Sequence, residues 1–167
     1  MELNVAEALK RVGQQYSFSL EETLAPLSYG GYVIELAAPL SVSGTYAFNG
    51  EGFQLEAQAN TMVRTQCARC GEPFEWAYGF SLNEQFTKTS DPDEDDRYPY
   101  AGERLNLDQA VMDNFYLHLP MVEVCKEDCK GLCPVCGVNR NQHVCTCTEQ
   151  DAPSPFSALA ALTHEEE

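Results

Sequence analysis

Leu40-Ser41-Val42-Ser43-Gly44-Thr45-Tyr46-Ala47-Phe48-Asn49-Gly50-Glu51-Gly52-Phe53-Gln54-Leu55-Glu56-Ala57-Gln58-Ala59 decides the fold. Leu40, Val42, Gly44, Tyr46 and Phe48 fall on alternate positions, as one face of a strand requires. Asn49-Gly50 is a dipeptide that turns hairpins, lengthened here by Glu51-Gly52. Phe53, Leu55, Ala57 and Ala59 resume the alternation, which can run on through Val63 and Thr65 to Cys67. Past Cys70, the residues Phe74, Trp76, Tyr78, Phe80 and Leu82 alternate again. The spacing predicts an antiparallel sheet in which Cys67 and Cys70 occupy a turn between two strands. The aromatic face reads as core rather than as a base-stacking platform, because stacking platforms are flanked by cations.

Upstream, Tyr16, Phe18 and Leu20 alternate like a half-buried strand, and Tyr32-Val33-Ile34-Glu35-Leu36 is another strand candidate. Val5, Ala8, Leu9 and Val12 follow helical spacing over residues 4–12, with Asn4 as cap, Glu7 placed as in a capping box, and Gly13 as stop. Residues 87–104 read as a loop with Tyr98 and Tyr100 as anchors. Leu107, Ala110, Val111 and Phe115 form the buried stripe of a helix over 107–119, capped by Asn106 and stopped by Pro120. Ser154-Pro155 opens a short last helix with Phe156, Leu159 and Leu162 on its apolar face.

Eight cysteines fall in two clusters: Cys67 and Cys70, then Cys125, Cys129, Cys133, Cys136, Cys145 and Cys147. Cysteines two to four residues apart supply two ligands of a tetrahedral metal site from one tight turn. Gly71 and Gly137 follow two of the pairs and suit that turn, because glycine accepts positive φ. Eight thiolates suffice for two four-coordinate sites. A disulfide framework needs an oxidising compartment, and Met1-Glu2-Leu3-Asn4 lacks the charged and apolar regions of a secretory signal. A thioredoxin-like dithiol would open a helix, whereas Pro73 and a strand pattern follow Cys70. Zinc and iron both accept four sulfurs, and the sequence leaves that choice open. His118 and His143 lie near cysteines, but eight cysteines already fill two sites.

The chain has 167 residues and a formal net charge of −16. Non-specific affinity for phosphates comes from Lys and Arg, so general nucleic-acid binding by the whole surface is excluded. The acids crowd Asp91, Asp93, Glu94, Asp95 and Asp96 and the terminal Glu165, Glu166 and Glu167. They read as solvated loop and tail, or as a surface for a basic partner. By contrast, Arg64, Arg69, Lys126, Lys130 and Arg140, half of the 10 Lys and Arg residues, lie within a few positions of a cysteine. They form a candidate RNA or partner-binding patch, or balance the negative charge of metal–thiolate centres. No apolar run is long enough to span a membrane. P-loops, nucleophile elbows and dinucleotide-binding turns are missing.

The run Leu119-Pro120, then Cys125-Lys126-Glu127-Asp128-Cys129-Lys130-Gly131-Leu132-Cys133-Pro134-Val135-Cys136-Gly137-Val138-Asn139, resembles the bacterial YceD family. So do Cys67-Ala68-Arg69-Cys70 upstream and Ser154-Pro155-Phe156-Ser157-Ala158-Leu159-Ala160-Ala161-Leu162 at the end. Arg140 departs from the apolar residue common there. The resemblance implies a role in accumulation of large-subunit ribosomal RNA, through its processing or through assembly of the subunit, in a family for which no enzymatic activity is established. The family includes members with the Cys-x-x-Cys pair but without the Gly-Leu-Cys-x-x-Cys segment, which implies two separable sites. Cys67, Cys70, Cys125 and Cys129 would be one, tying the exit of helix 107–119 to the sheet. Cys133, Cys136, Cys145 and Cys147 would be the other. A zinc ribbon pairing Cys67 and Cys70 with Cys133 and Cys136 is the alternative.

The expectation is therefore an α+β protein. An antiparallel sheet with covering helices and the first knuckle spans 1–124, a zinc-binding segment 125–150, and a helix with an acidic tail 151–167. Its expected cofactor is zinc, two ions. The expected role is a non-enzymatic, cytoplasmic factor whose partner is large-subunit ribosomal RNA or a basic large-subunit ribosomal protein, without membrane or small-molecule substrate. An RNA-processing enzyme with structural zinc, or a metal- or redox-handling protein, are the alternatives.

Overall fold

The computed structural model describes residues 1–29, 32–88 and 96–148. The acids Asp91, Asp93, Glu94 and Asp95, the closing helix expected from Ser154 and the acidic tail lie outside the described residues. The chain divides into two compact units. Met1–Thr65 and Glu75–Met121 form the first; Gln66–Phe74 and Val122–Glu167 form the second. Residues 66–74, which carry the first knuckle, thus belong with the cysteine-rich segment.

The first unit is mostly β. Its elements are β1 (Glu2–Asn4), α1 (Ala6–Leu9), β2 (Gln15–Glu22), β3 (Leu27–Tyr29), β4 (Tyr32–Leu36), β5 (Leu40–Phe48), β6 (Gly52–Gln66), β7 (Pro73–Thr87), β8 (Tyr98–Pro99), β9 (Arg104–Asn106) and α2 (Asp108–His118). The seven-stranded sheet follows the order β2-β5-β6-β4-β3, with β7 paired to both β6 and β8. β5 lies antiparallel on β6 with Ser41–Phe48 running against Phe53–Asn60, while β4 meets β6 further along, at Arg64 and Val63. The hairpin turn closes as its sequence demands: Asn49 Oδ1 accepts the N–H groups of Glu51 and Gly52, and Gly50 takes φ +102.

Alternation sets the core. Leu40, Val42, Tyr46, Phe53, Leu55, Ala57, Ala59, Tyr78, Phe80 and Leu82 are all buried, and the intervening residues of β6 and β7 face outward. The stripe of α2 closes over them, with Leu107, Ala110, Val111 and Phe115 buried. The Phe115 ring meets Tyr78 edge-on at 5.0 Å, and the Tyr78 hydroxyl donates to the Phe115 carbonyl at 2.7 Å. Edge-to-face contact suits the quadrupoles of the two rings. Tyr78, Phe80 and Leu82 of the aromatic face are core, Trp76 is half-buried against them, and Phe74 packs on the cysteines of the second unit instead.

Three expectations change. The first helix is only Ala6–Leu9: Asn4 belongs to the strand Glu2–Asn4, which pairs with Arg104–Asn106 as a separate two-stranded sheet, and residues 10–12 are turn and bend. Asn4 Oδ1 still accepts the Ala6 N–H, but Glu7 pairs with Lys10 instead of completing a capping box. Val12, expected on the buried stripe, lies past the helix end and is exposed. Within 87–104, described residues 87, 98–99 and 104 are strand, and Tyr100 is buried against Phe53 at 5.0 Å. Among the described residues, no helix is long and apolar enough to cross a membrane.

Gly44 has a geometric reason: a Cβ there would stand 2.1 Å from the Glu56 carbonyl oxygen and 2.5 Å from Ala57 Cα, both backbone. Backbone cannot step aside as a flexible side chain can. Gly44→Ala is expected to lower stability by about 1–3 kcal/mol, the usual cost of overpacking. An unchanged denaturation midpoint would show that β5 and β6 do not approach this closely.

Candidate metal centres

Two turns of the second unit are built alike. In the first, Gly71 takes φ +72 and donates its N–H to the Cys67 carbonyl at 2.8 Å, while Arg69 N–H points at Cys67 Sγ, 3.4 Å away. In the second, Gly137 takes φ +71 and donates to the Cys133 carbonyl at 2.9 Å. Each loop is then closed from outside: Cys67 N–H reaches Glu72 O, and Cys133 N–H reaches Val138 O. Glycine is required in both because an L side chain resists positive φ.

The turns present sulfurs to their partners. Cys67, Cys70, Cys125 and Cys129 bring their Sγ atoms within 4.8 Å of one another, and so do Cys133, Cys136, Cys145 and Cys147. All eight thiols are free. Cys67–Cys129 and Cys70–Cys125 separate by 3.8 Å, and Cys133–Cys145 and Cys136–Cys145 by 3.4 and 3.6 Å. A tetrahedron of sulfurs about 2.3 Å from a central ion has edges of about 3.8 Å, whereas a disulfide needs about 2.05 Å. The donor set therefore fits two four-coordinate ions. The ribbon pairing of Cys67 and Cys70 with Cys133 and Cys136 is not formed. His118 instead places Nδ1 against the Asn114 carbonyl at 2.9 Å and stacks on Phe80, and His143 belongs to neither quartet.

The quartets differ in surroundings. Cys67, Cys70 and Cys129 are buried, with Phe74 and Val124 packed against them. In the other, Cys136 and Cys147 are exposed. Burial opposes the Cys67 thiolate, but the N–H groups of Cys125, Cys70 and Arg69 outweigh it and bring that thiol down to about 6. Cys133 falls to about 6 because the N–H groups of Cys136 and Val135 point at it. Burial opposes ionisation of Cys129 too, yet the Asn141 amide and the Gly131 N–H lower it. Burial, then the neighbouring Cys129 sulfur, push Cys125 up to about 12.

The five candidate cations do not share one role. Arg64, on β6, pairs with Glu75 on β7 and reaches Glu35 on β4 at 3.8 Å, a cross-strand cluster of the first unit. Arg69 donates Nη1 to the carbonyls of Glu127 and Cys129, at 3.1 and 3.2 Å, and so clamps the loop that carries two ligands. Lys126 lies 3.7 Å from Asp128, both exposed. Lys130 and Arg140 are exposed and make no ion pair among the described residues. Sequence reasoning missed Asn139, Asn141 and Glu72. Asn141 donates to Cys129 Sγ at 3.4 Å, and Asn139 donates to Glu72 at 3.3 Å. The available signal was weak: asparagines in a tight loop often bond nearby backbone.

A family model described as large ribosomal RNA subunit accumulation protein YceD matches residues 55–163. An uncharacterized protein of Mycobacterium tuberculosis is 30% identical over 83% of this chain and 70% of its own length. Proteins of Zea mays and Arabidopsis thaliana, each named large ribosomal RNA subunit accumulation protein YCED homolog 1, chloroplastic, are also similar. The maize protein is 36% identical over 56% of this chain and 43% of its own length. The Arabidopsis protein is 21% identical over 74% and 48%. No solved structure matches the chain.

Elemental analysis of protein purified without added metal is expected to give two ions per chain, one for each quartet. Cys136→Ser should remove one of them and spare the buried centre. A wild-type content of one ion or fewer, or loss of both ions in Cys136→Ser, would contradict this assignment.

Proposed function

This chain belongs to the YceD family, and we propose that it is a non-catalytic, cytoplasmic factor that supports accumulation of large-subunit ribosomal RNA, with two structural zinc ions. The match of the family model over residues 55–163, which takes in all eight cysteines, carries this reading. The chemistry of the centres supports a structural role. Four protein sulfurs fill the tetrahedron, whereas catalytic zinc keeps a position open for water or substrate. Zinc suits the donor set because it prefers sulfur ligands and tolerates a rigid tetrahedron.

RNA is the proposed partner, held by the cations of the second unit. Lys130 and Arg140 are free of ion pairs among the described residues, and the exposed Lys126–Asp128 pair is the kind that adds little stability and exchanges readily. Arg64 and Arg69 contribute indirectly, since their guanidinium groups already hold strands and a ligand loop. The net charge of −16 confines RNA contact to such a local patch and repels phosphate elsewhere.

Replacing Lys126, Lys130 and Arg140 together with Ala is expected to weaken binding to large-subunit ribosomal RNA and to flatten its salt dependence by about one unit of slope per lost phosphate contact. Metal content should stay at two ions, since none of the three is a ligand. Neutralising Asp93, Glu94, Asp95 and Asp96 tests the basic-protein alternative, and RNA recovery should survive it. RNA recovery unaffected by the triple substitution, with loss of ribosomal proteins in the acidic variant, would shift the reading to a protein partner.

A further inference from the structure

The loop closed by Cys136 and Cys145 reaches back to the other quartet. Asn141, inside that loop, donates Nδ2 to Cys129 Sγ at 3.4 Å, and its Oδ1 accepts the Lys130 N–H at 2.9 Å. Its own N–H and amide both donate to Asn139 Oδ1, at 3.0 and 2.9 Å. Asn139 and Gln142 in turn donate to Glu72 Oε1, at 3.3 and 3.0 Å, on the loop that follows Cys70. Two backbone bonds run alongside, Arg140 N–H to Gly131 O at 2.9 Å and Leu132 N–H to Arg69 O at 3.0 Å. A Cβ on Gly131 would stand 2.9 Å from that Arg69 oxygen, so the segments are in close contact. Every one of these groups lies within the second unit.

We propose that the two metal centres bind cooperatively, and that Asn141 is the positioning residue through which filling the exposed centre tightens the buried one. An ion held by Cys133, Cys136, Cys145 and Cys147 closes the loop 137–144 and fixes Asn141 before the first centre needs it. The amide then meets a metal-bound thiolate with no further loss of conformational freedom, and a hydrogen bond to a charged sulfur is stronger than one to a neutral acceptor. Groups that orient metal ligands from outside commonly carry ten- to a hundredfold of affinity, an order-of-magnitude range. Linkage makes the effect mutual: whatever factor the exposed centre adds to the buried one, the buried centre returns. The proposal rests on both quartets being metal centres.

Cadmium-loaded full-length protein gives one NMR resonance per centre, so competition with a chelator reads each affinity separately. Removing the exposed centre with Cys145→Ser/Cys147→Ser is expected to weaken cadmium at the buried centre by at least about fivefold. Asn141→Ala should weaken it by about tenfold with both centres intact. In the Asn141→Ala background, removing the exposed centre should then cost much less. Asn141→Asp keeps the shape and the acceptor for Lys130 N–H but replaces the donor to sulfur with a carboxylate oxygen, so it should weaken the buried centre at least as much as Asn141→Ala and move the resonance of that centre alone. A buried-centre affinity unchanged by loss of the exposed one would overturn the coupling. Independent, multiplicative effects of the two changes would overturn the role of Asn141. Fewer than two ions bound by the wild-type protein would instead remove the two-centre reading beneath both.

Discussion

Four sulfurs held within 4.8 Å of one another are the constraint on which the second unit depends. Two unit charges about 4 Å apart repel by about 4 kcal/mol at the effective dielectric of a protein surface. Four thiolates therefore cannot share such a space alone. Without an ion the protons divide unevenly, with Cys67 drawn down to about 6 by backbone N–H groups and Cys125 driven up to about 12 by burial and by Cys129. A dication removes that conflict and turns the repelling cluster into a junction of two chain segments. Among the described residues of the unit, three buried cysteines form the apolar cluster, with Phe74, Val124 and Cys125 beside them. Free energy of metal binding is folding free energy in segments of this kind.

The first unit answers to a different force. Its strands each carry one apolar face, and Phe53, Phe86 and Phe115 are among its fully buried side chains. Area removed from water stabilises it at about 25 cal/mol per Å², with no need of an ion. The two units thus respond to different chemical insults. Chelation or oxidation acts on the sulfurs, while loss of packing at Phe115 or crowding at Gly44 acts on the sheet.

Local chemistry was legible in the sequence, and distant pairing was not. Period-two alternation revealed β5, β6 and β7 because each strand writes its own pattern, and the Asn49-Gly50 turn revealed how the first two join. The four-and-four division of the cysteines followed from short spacings and a family resemblance. By contrast, β1 and β9 are three residues each and depend on one another across a hundred positions of chain, so neither has a period to read. That pairing also takes Asn4 out of the expected first helix. The cations near cysteines looked equivalent by position, yet Arg64 answers to Glu75 on a neighbouring strand and Arg69 to carbonyls of a segment far along the chain. Position relative to a cysteine says nothing of direction, and direction decides which cation is available to a partner.

The family match begins at residue 55, within β6, and so cuts through the sheet. What lies before it is not dispensable. β5 covers the residues Phe53–Asn60 of β6, and Val5, Ala8, Leu40, Val42 and Tyr46 join Phe80 and Phe115 in one core. The matched stretch holds the eight sulfurs and the cations beside them, while the stretch before it supplies the strand that pairs with β6 and apolar partners in its core. Burial across residues 1–54 asks only for apolar residues on alternate positions, and many side chains meet that demand. Metal ligation instead asks for a cysteine at each ligand position and a glycine after the turn, a demand that few other side chains meet.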